Sequence, residues 1–190
     1  MKKQFLAHNL NDLCDIGVPI SKAVIKMSFL PSVLDTCVSK WKDELSRETG
    51  KNGKGGNKLR TYRLFKNEYE VEEYCTQVWS VRYRGALAKF RTGTAPLRIE
   101  TGRYELLPVN ERRCFNCNAV EDELHVLIHC PLYEDIRCDL FNNAISVCDM
   151  FNYFTDIEKM CYILSNPNIV KDSAKTCWLI LERRKLFLTT

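Results

Sequence analysis

Four side chains able to hold a metal ion, Cys114, Cys117, His125 and Cys130, fall within seventeen residues in the spacing C-x2-C-x7-H-x4-C. No other feature restricts the fold as much. A C-x2-C turn lets two thiolates grip one ion, and a nitrogen with a third sulfur closes the tetrahedral shell that zinc prefers. With all four positions filled by protein, no place is left for an activated water, so the spacing predicts one structural Zn2+ rather than metal-dependent hydrolysis. The fourth ligand stays open at this level. His125 and His129 are four residues apart on one helical face and would complete a Cys2His2 site, whereas His125 with Cys130 completes Cys2HisCys. A redox C-x-x-C is the competing interpretation, but it belongs at a strand-to-helix turn of a βαβ unit, and the pattern contains none.

An apolar fraction of 45% in 190 residues is that of a globular chain, enough for one ordinary domain or two small ones. The first residues are broken by His8, Asn9 and Asn11, and no stretch reaches the ~18 apolar residues of a membrane span, so the expectation is an intracellular, soluble protein without membrane association. Ten cysteines without an export signal are expected as thiols, and Cys14, Cys37, Cys75, Cys138, Cys148, Cys161 and Cys177 are too scattered for a second site and fit small core positions.

The hydrophobic periodicity predicts a mainly α fold of helical units, and the ligand spacing adds a small zinc-stapled module, Cys2HisCys or Cys2His2. Residues 1–47 form an N-terminal helical segment, with Ile20, Ala23, Val24 and Met27 after Pro19, then Leu34, Cys37, Val38, Trp41 and Leu45 after Pro31. Residues 48–57 hold four glycines and no apolar side chain, as a linker would. Residues 58–140 form a basic helical region with the metal module. In it Leu59, Tyr62, Phe65 and Tyr69, then Val78, Val81, Leu87 and Phe90, recur at helical spacing up to Arg91. Thr92 to Pro108 is expected to be irregular with one short strand, and Glu121, Asp122 and Glu123 to occupy the first turn of the helix that carries the histidine. Residues 141–190 form a C-terminal helical segment, in which Trp178, Leu179 and Leu186 mark a helix.

Positive charge is interleaved with aromatics. Lys58, Arg60, Arg63 and Lys66 alternate with Tyr62 and Phe65, and Arg82, Arg84, Lys89 and Arg91 flank Tyr83 and Phe90. Cations neutralise phosphates while rings stack on bases, although an ordinary solvated helix over core aromatics has the same pattern. Arg112 and Arg113 abut the metal turn, which would fix their direction, and Phe115 inside the knuckle either stacks on a base or packs under the ion.

The strings NKLRTY at 57–62, LAKFR at 87–91, IETGRY at 99–104, RCFNC at 113–117, VEDELH at 120–125 and CPLY at 130–133 occur in this order. Over residues 41–141 the chain resembles the C-terminal region of non-LTR retrotransposon polyproteins, which holds the reverse-transcriptase zinc-binding domain. The resemblance implies Cys114, Cys117, His125 and Cys130 as ligands and favours Cys130 over His129. In that family the whole protein copies its RNA at a nicked DNA target, and the region beyond the polymerase helps to hold RNA or DNA. A nuclear place in the cell is implied with it. No adjacent pair of aspartates occurs and 190 residues leave no room for polymerase and endonuclease domains, so no polymerase activity is expected. Three histidines, two of them in or beside the metal turn, leave little for conventional base catalysis, and the chain is expected not to be an enzyme. The leading expectation is a zinc-dependent RNA- or DNA-binding module. A zinc-stapled domain for a protein partner and a retroelement fragment without a present role stand beside it.

Overall fold

The computed structural model describes residues 21–46 and 59–189. The glycine-rich stretch 48–57, Lys58, His8, Cys14 and the helix start expected at Pro19 and Ile20 lie outside the described residues. The chain divides into two compact units, Met1–Asn57 and Lys58–Thr190. It is mainly α, with eight α-helices among the described residues, and the one extended pairing there is an isolated antiparallel bridge between Arg113 and Val120.

In the first unit, helix α1 (Lys22–Val24) runs through a π-helical turn, Ile25–Phe29, into α2 (Leu30–Ser46). The two short helices expected from the two prolines are therefore one nearly continuous rod. Pro31 sits in the first turn of α2, where its missing N–H and fixed φ are tolerated.

The second unit is built around α8 (Val170–Thr189), which packs along α4 (Val81–Thr92) and also meets α3 (Tyr74–Gln77), α6 (Glu134–Val147) and α7 (Asp156–Ser165). Leu87 and Phe90 of α4 and Ala174, Cys177 and Ile180 of α8 are fully buried in one core, at the i, i+3 and i+6 spacing that places them on one helical face. Burying side chains of the size of Leu87 and Phe90 contributes about 1.5–3 kcal/mol each. A smaller core gathers Leu140, Ala144, Phe151, Ile163 and Ile169.

Local sequence explains where these helices stop and start. Ser80 lies in extended conformation ahead of α4, and α4 ends at Gly93, whose φ of 71° is the left-handed cap that glycine adopts without steric cost. Helix α7 starts on a capping box in which the Thr155 hydroxyl accepts from the Glu158 N–H and the Glu158 carboxylate accepts from the Thr155 N–H.

Two expectations fail here. Residues 59–77, expected as helix, contain only a 3-10 turn, Tyr62–Leu64, and the four-residue α3. The apolar residues there serve a winding segment, because Phe65 and Tyr74 close over Arg91 instead of lining a helical stripe. Conversely, the stretch expected to be irregular with a strand holds α5 (Arg98–Tyr104). Gly102 hides that helix in the sequence. It is needed because the Arg112 side chain crosses it so closely that a Cβ at 102 would lie 2.7 Å from Arg112 Cγ.

A candidate metal centre and the cations around it

The knuckle is made by a tight reversal. The Cys114 N–H donates to Ala119 O (2.7 Å) and the Asn118 N–H donates to Cys114 O (3.0 Å). Asn118 takes the left-handed conformation (φ 60°) that asparagine tolerates better than most residues. Asp122 Oδ1 then accepts from the His125 N–H at 2.8 Å and starts the turn that carries the histidine.

That turn is π-helical over His125–His129, and the Cys130 N–H donates to His125 O at 2.8 Å. A π-turn bonds residues five apart, so it brings Cys130 under His125, where an α-turn would have aligned His129. His129 instead lies outside, with Nε2 3.2 Å from Asp156 Oδ2. The ligand atoms of Cys114, Cys117, His125 and Cys130 all lie within 4.8 Å of one another. Cys114 Sγ and Cys130 Sγ are 3.8 Å apart, and Cys117 Sγ is 3.1 Å from His125 Nε2. Metal–sulfur bonds of about 2.3 Å in a tetrahedron set two sulfurs about 3.8 Å apart, so the thiol pair already has the edge length of a metal shell.

Burial pushes the Cys130 thiol up to about 12, and burial pushes the His125 imidazole below its ordinary value despite Asp122 and Glu121 nearby. Three thiols and a neutral imidazole thus converge in a largely buried place, and a bound divalent ion is what would stabilise them as thiolates. The residues fit one metal ion.

Glu121 holds the knuckle against the rest of the unit. Its carboxylate accepts from the Arg184 guanidinium at 2.7 and 3.0 Å and from the Arg98 N–H at 2.6 Å, while its own N–H donates to Arg112 O and its carbonyl accepts from the Ile99 N–H. Glu123 is paired with Arg60 at 2.6 Å. Of the three acidic residues expected to favour a helix start, only Asp122 caps, because Glu121 and Glu123 are buried and face guanidinium partners, Arg184 buried and Arg60 half-buried. Arg184 and Arg60 carry no sequence signal of this role; only the burial of Glu121 and Glu123 in the fold discloses it.

The cations proposed from sequence separate into two groups. Arg91 is not a surface contact. It is 3% exposed, donates to Leu164 O, pairs with Glu72 and lies under the rings of Phe65 and Tyr74. The α4 stripe turns that side inward at the last turn, where Leu87 is its i−4 neighbour. Arg112 is likewise consumed, donating Nε and Nη2 to Leu107 O and Nη1 to Ile99 O. Arg84 is half-buried and donates to Val78 O. Arg82, Lys89 and Arg113 are exposed, although Arg113 also bridges Asn110 O and Asn118 O across the knuckle. Phe115 does not pack under the site. It is 61% exposed, with the Arg98 guanidinium 5.8 Å from its ring centre. Among the other cysteines, Cys177 is a core residue, whereas Cys75 and Cys138 are exposed and Cys37, Cys148 and Cys161 are half-buried.

Arg82 and Lys89 border a groove of about 500 Å³ between α4 and α8 that also reaches Trp178 and Lys185. Its second half comes from a helix nearly 90 residues further along the chain, so sequence reading of the 82–91 segment alone misses it. No helix among the described residues is long and apolar enough to cross a membrane. No protein-family model, curated protein or solved structure matches the chain.

Proposed function

We propose that this chain is a zinc-stapled nucleic-acid-binding module without polymerase activity of its own. The observation that carries the reading is the closed Cys3His cluster at the foot of a knuckle that turns Arg113 and Phe115 outward. Three sulfurs and an imidazole within 4.8 Å of one another favour Zn2+ among the common divalent ions, and four protein donors make the ion structural. An exposed ring two residues from the exposed Arg113 suits bases and phosphates. The ordered likeness to the C-terminal region of non-LTR retrotransposon polyproteins supports the same ligand class, and a nuclear place in the cell would go with it. A protein-interaction module is the second reading, favoured by Phe187 and Leu188, which lie beside Phe115 at the knuckle and are about half exposed (49% and 48%).

Metal analysis combined with a salt titration tests the proposal. The purified protein should carry one zinc per chain, and the logarithm of its affinity for RNA or DNA should fall linearly with log salt at a slope of about 0.7 per single-strand phosphate contact. Phe115→Ala, at a ring that is 61% exposed, should lower affinity without loss of zinc. A zinc-loaded protein that binds neither nucleic acid at low salt would leave the protein-interaction reading in its place.

A further inference from the structure

We infer that the groove between α4 and α8 is the seat of a single-stranded segment of nucleic acid, an inference that rests on the nucleic-acid reading above. Arg82, Gly85 and Lys89 stand at i, i+3 and i+7 on one face of α4, so two exposed cations about 10.5 Å apart along the axis flank a position with no side chain. A Cβ at Gly85 would meet nothing within 4 Å. The floor there is open space, and it is not a helix-packing contact. Across from it α8 supplies Trp178, half-buried and resting against Tyr83 with ring centres 5.3 Å apart, and Lys185 at the rim. Glu182 is the one carboxylate among the described lining residues, and Lys185 is its ion-pair partner.

The shape selects the strand state. A concave space of about 500 Å³ with an indole in its wall admits an unstacked base, whose face can meet the ring while its phosphates lie on Arg82 and Lys89. A duplex keeps its bases stacked inside a convex cylinder and offers such a notch only its backbone. An acidic peptide would match the charge, but the aromatic wall between two cations a few nucleotides apart favours a strand that alternates flat bases with phosphates.

The experiment uses the full zinc-loaded chain with oligo(U), oligo(dT) and a duplex of the same length. In a Trp41→Phe/Trp79→Phe background the remaining indole is Trp178, and single strands should quench its fluorescence. Gly85→Leu fills the groove without removing charge and replaces glycine by a better helix former, so it should weaken single-strand binding about tenfold or more and change duplex affinity little. Lys89→Glu, at an exposed position, should lower the single-strand salt slope by about 0.7 and gives an independent reading if Gly85→Leu fails to fold. Strands that bind the parent protein but are indifferent to Gly85→Leu and to Lys89→Glu would overturn the groove and leave the nucleic-acid reading standing. Absence of binding to any strand or duplex at low salt would overturn both, and quenching of Trp178 by an acidic peptide alone would assign the groove to a protein partner.

Discussion

Arg112 and Gly102 show how a charge that looks available in sequence is used up by the fold. Three guanidinium nitrogens of Arg112 hold Leu107 O and Ile99 O, and its aliphatic stem lies on the bare Cα of Gly102. Glycine in a helix normally costs about 0.5–1 kcal/mol relative to alanine, so Gly102→Ala would stabilise an unobstructed helix. Here the added methyl would meet Arg112 Cγ at 2.7 Å, and the side chain cannot retreat without releasing its carbonyls. Gly102→Ala is therefore expected to destabilise the protein by about 1–3 kcal/mol, as overpacked sites do. In an Arg112→Ala background the same change should be neutral or favourable, and urea melts of the four proteins in the cycle measure that reversal. The pair Glu121–Arg184 follows the complementary logic. Both side chains are buried and matched by two hydrogen bonds, so truncating Arg184 alone leaves an uncompensated carboxylate beneath the knuckle.

At the scale of elements, the π-turn His125–His129 decides which residues meet. Spacing in the sequence allows either His129 or Cys130 as fourth ligand, because periodicity assumes 3.6 residues per turn and gives no warning of a five-residue register. With the π bond from the Cys130 N–H to His125 O, the expected ranking is that Cys130→Ser weakens metal binding by orders of magnitude in a competitive chelator titration, while His129→Asn changes it little. The reverse ranking would mean that the turn relaxes to α-helix when metal binds. Helix α4 was legible because Leu87 and Phe90 fall on its buried face, and so was α8, although of Trp178, Leu179 and Leu186 the first two are half-buried and the last is 69% exposed. Helix α5 was not, because the residue its packing demands is a glycine, and glycine inside a short window reads as a break. The aromatic spacing of 59–77 misled in the opposite sense, since Phe65 and Tyr74 are set by the buried guanidinium of Arg91 and not by a helical face. The ligand set was legible to within one residue, but nothing in the residues themselves distinguishes the exposed Arg82 from the buried Arg91, which Phe65, Glu72, Tyr74 and Leu164 cover from other segments of the chain.

For the whole second unit, the metal cluster is part of the main core and not an appendage. Cys114 and Cys130 are buried in the same cluster as Leu87, Phe90, Leu127 and Ile180, so if the cluster holds the proposed ion, removing it should lower the melting temperature of the unit as one transition. Structural zinc in small modules contributes on the order of 10 kcal/mol, and chelation should shift the midpoint by well over about 10 °C. In the metal-free protein two of the ligands contribute to the pH dependence with opposite signs, and the buried Cys177 and half-buried Cys161 thiols add to the alkaline side. His125 is held below its ordinary value by burial, so its contribution is fully present above about 6.5 and is lost as pH falls, when the unfolded chain takes the proton first. Cys130 is pushed up to about 12 by burial, so its contribution is present below the ordinary thiol value and is lost as pH rises from about 8.5 toward 12, when the unfolded thiol ionises first. Metal-free protein should thus melt highest between about pH 6.5 and 8.5 and lower on both sides. Bound metal reverses the alkaline limb, because it requires the thiolate and releases the proton on binding, and it steepens the acid limb, because protons compete for every ligand. Thermal melts across pH with and without a chelator read both limbs. His125→Asn in the metal-free protein should flatten the acid limb, and an unchanged limb would assign it to groups outside the cluster.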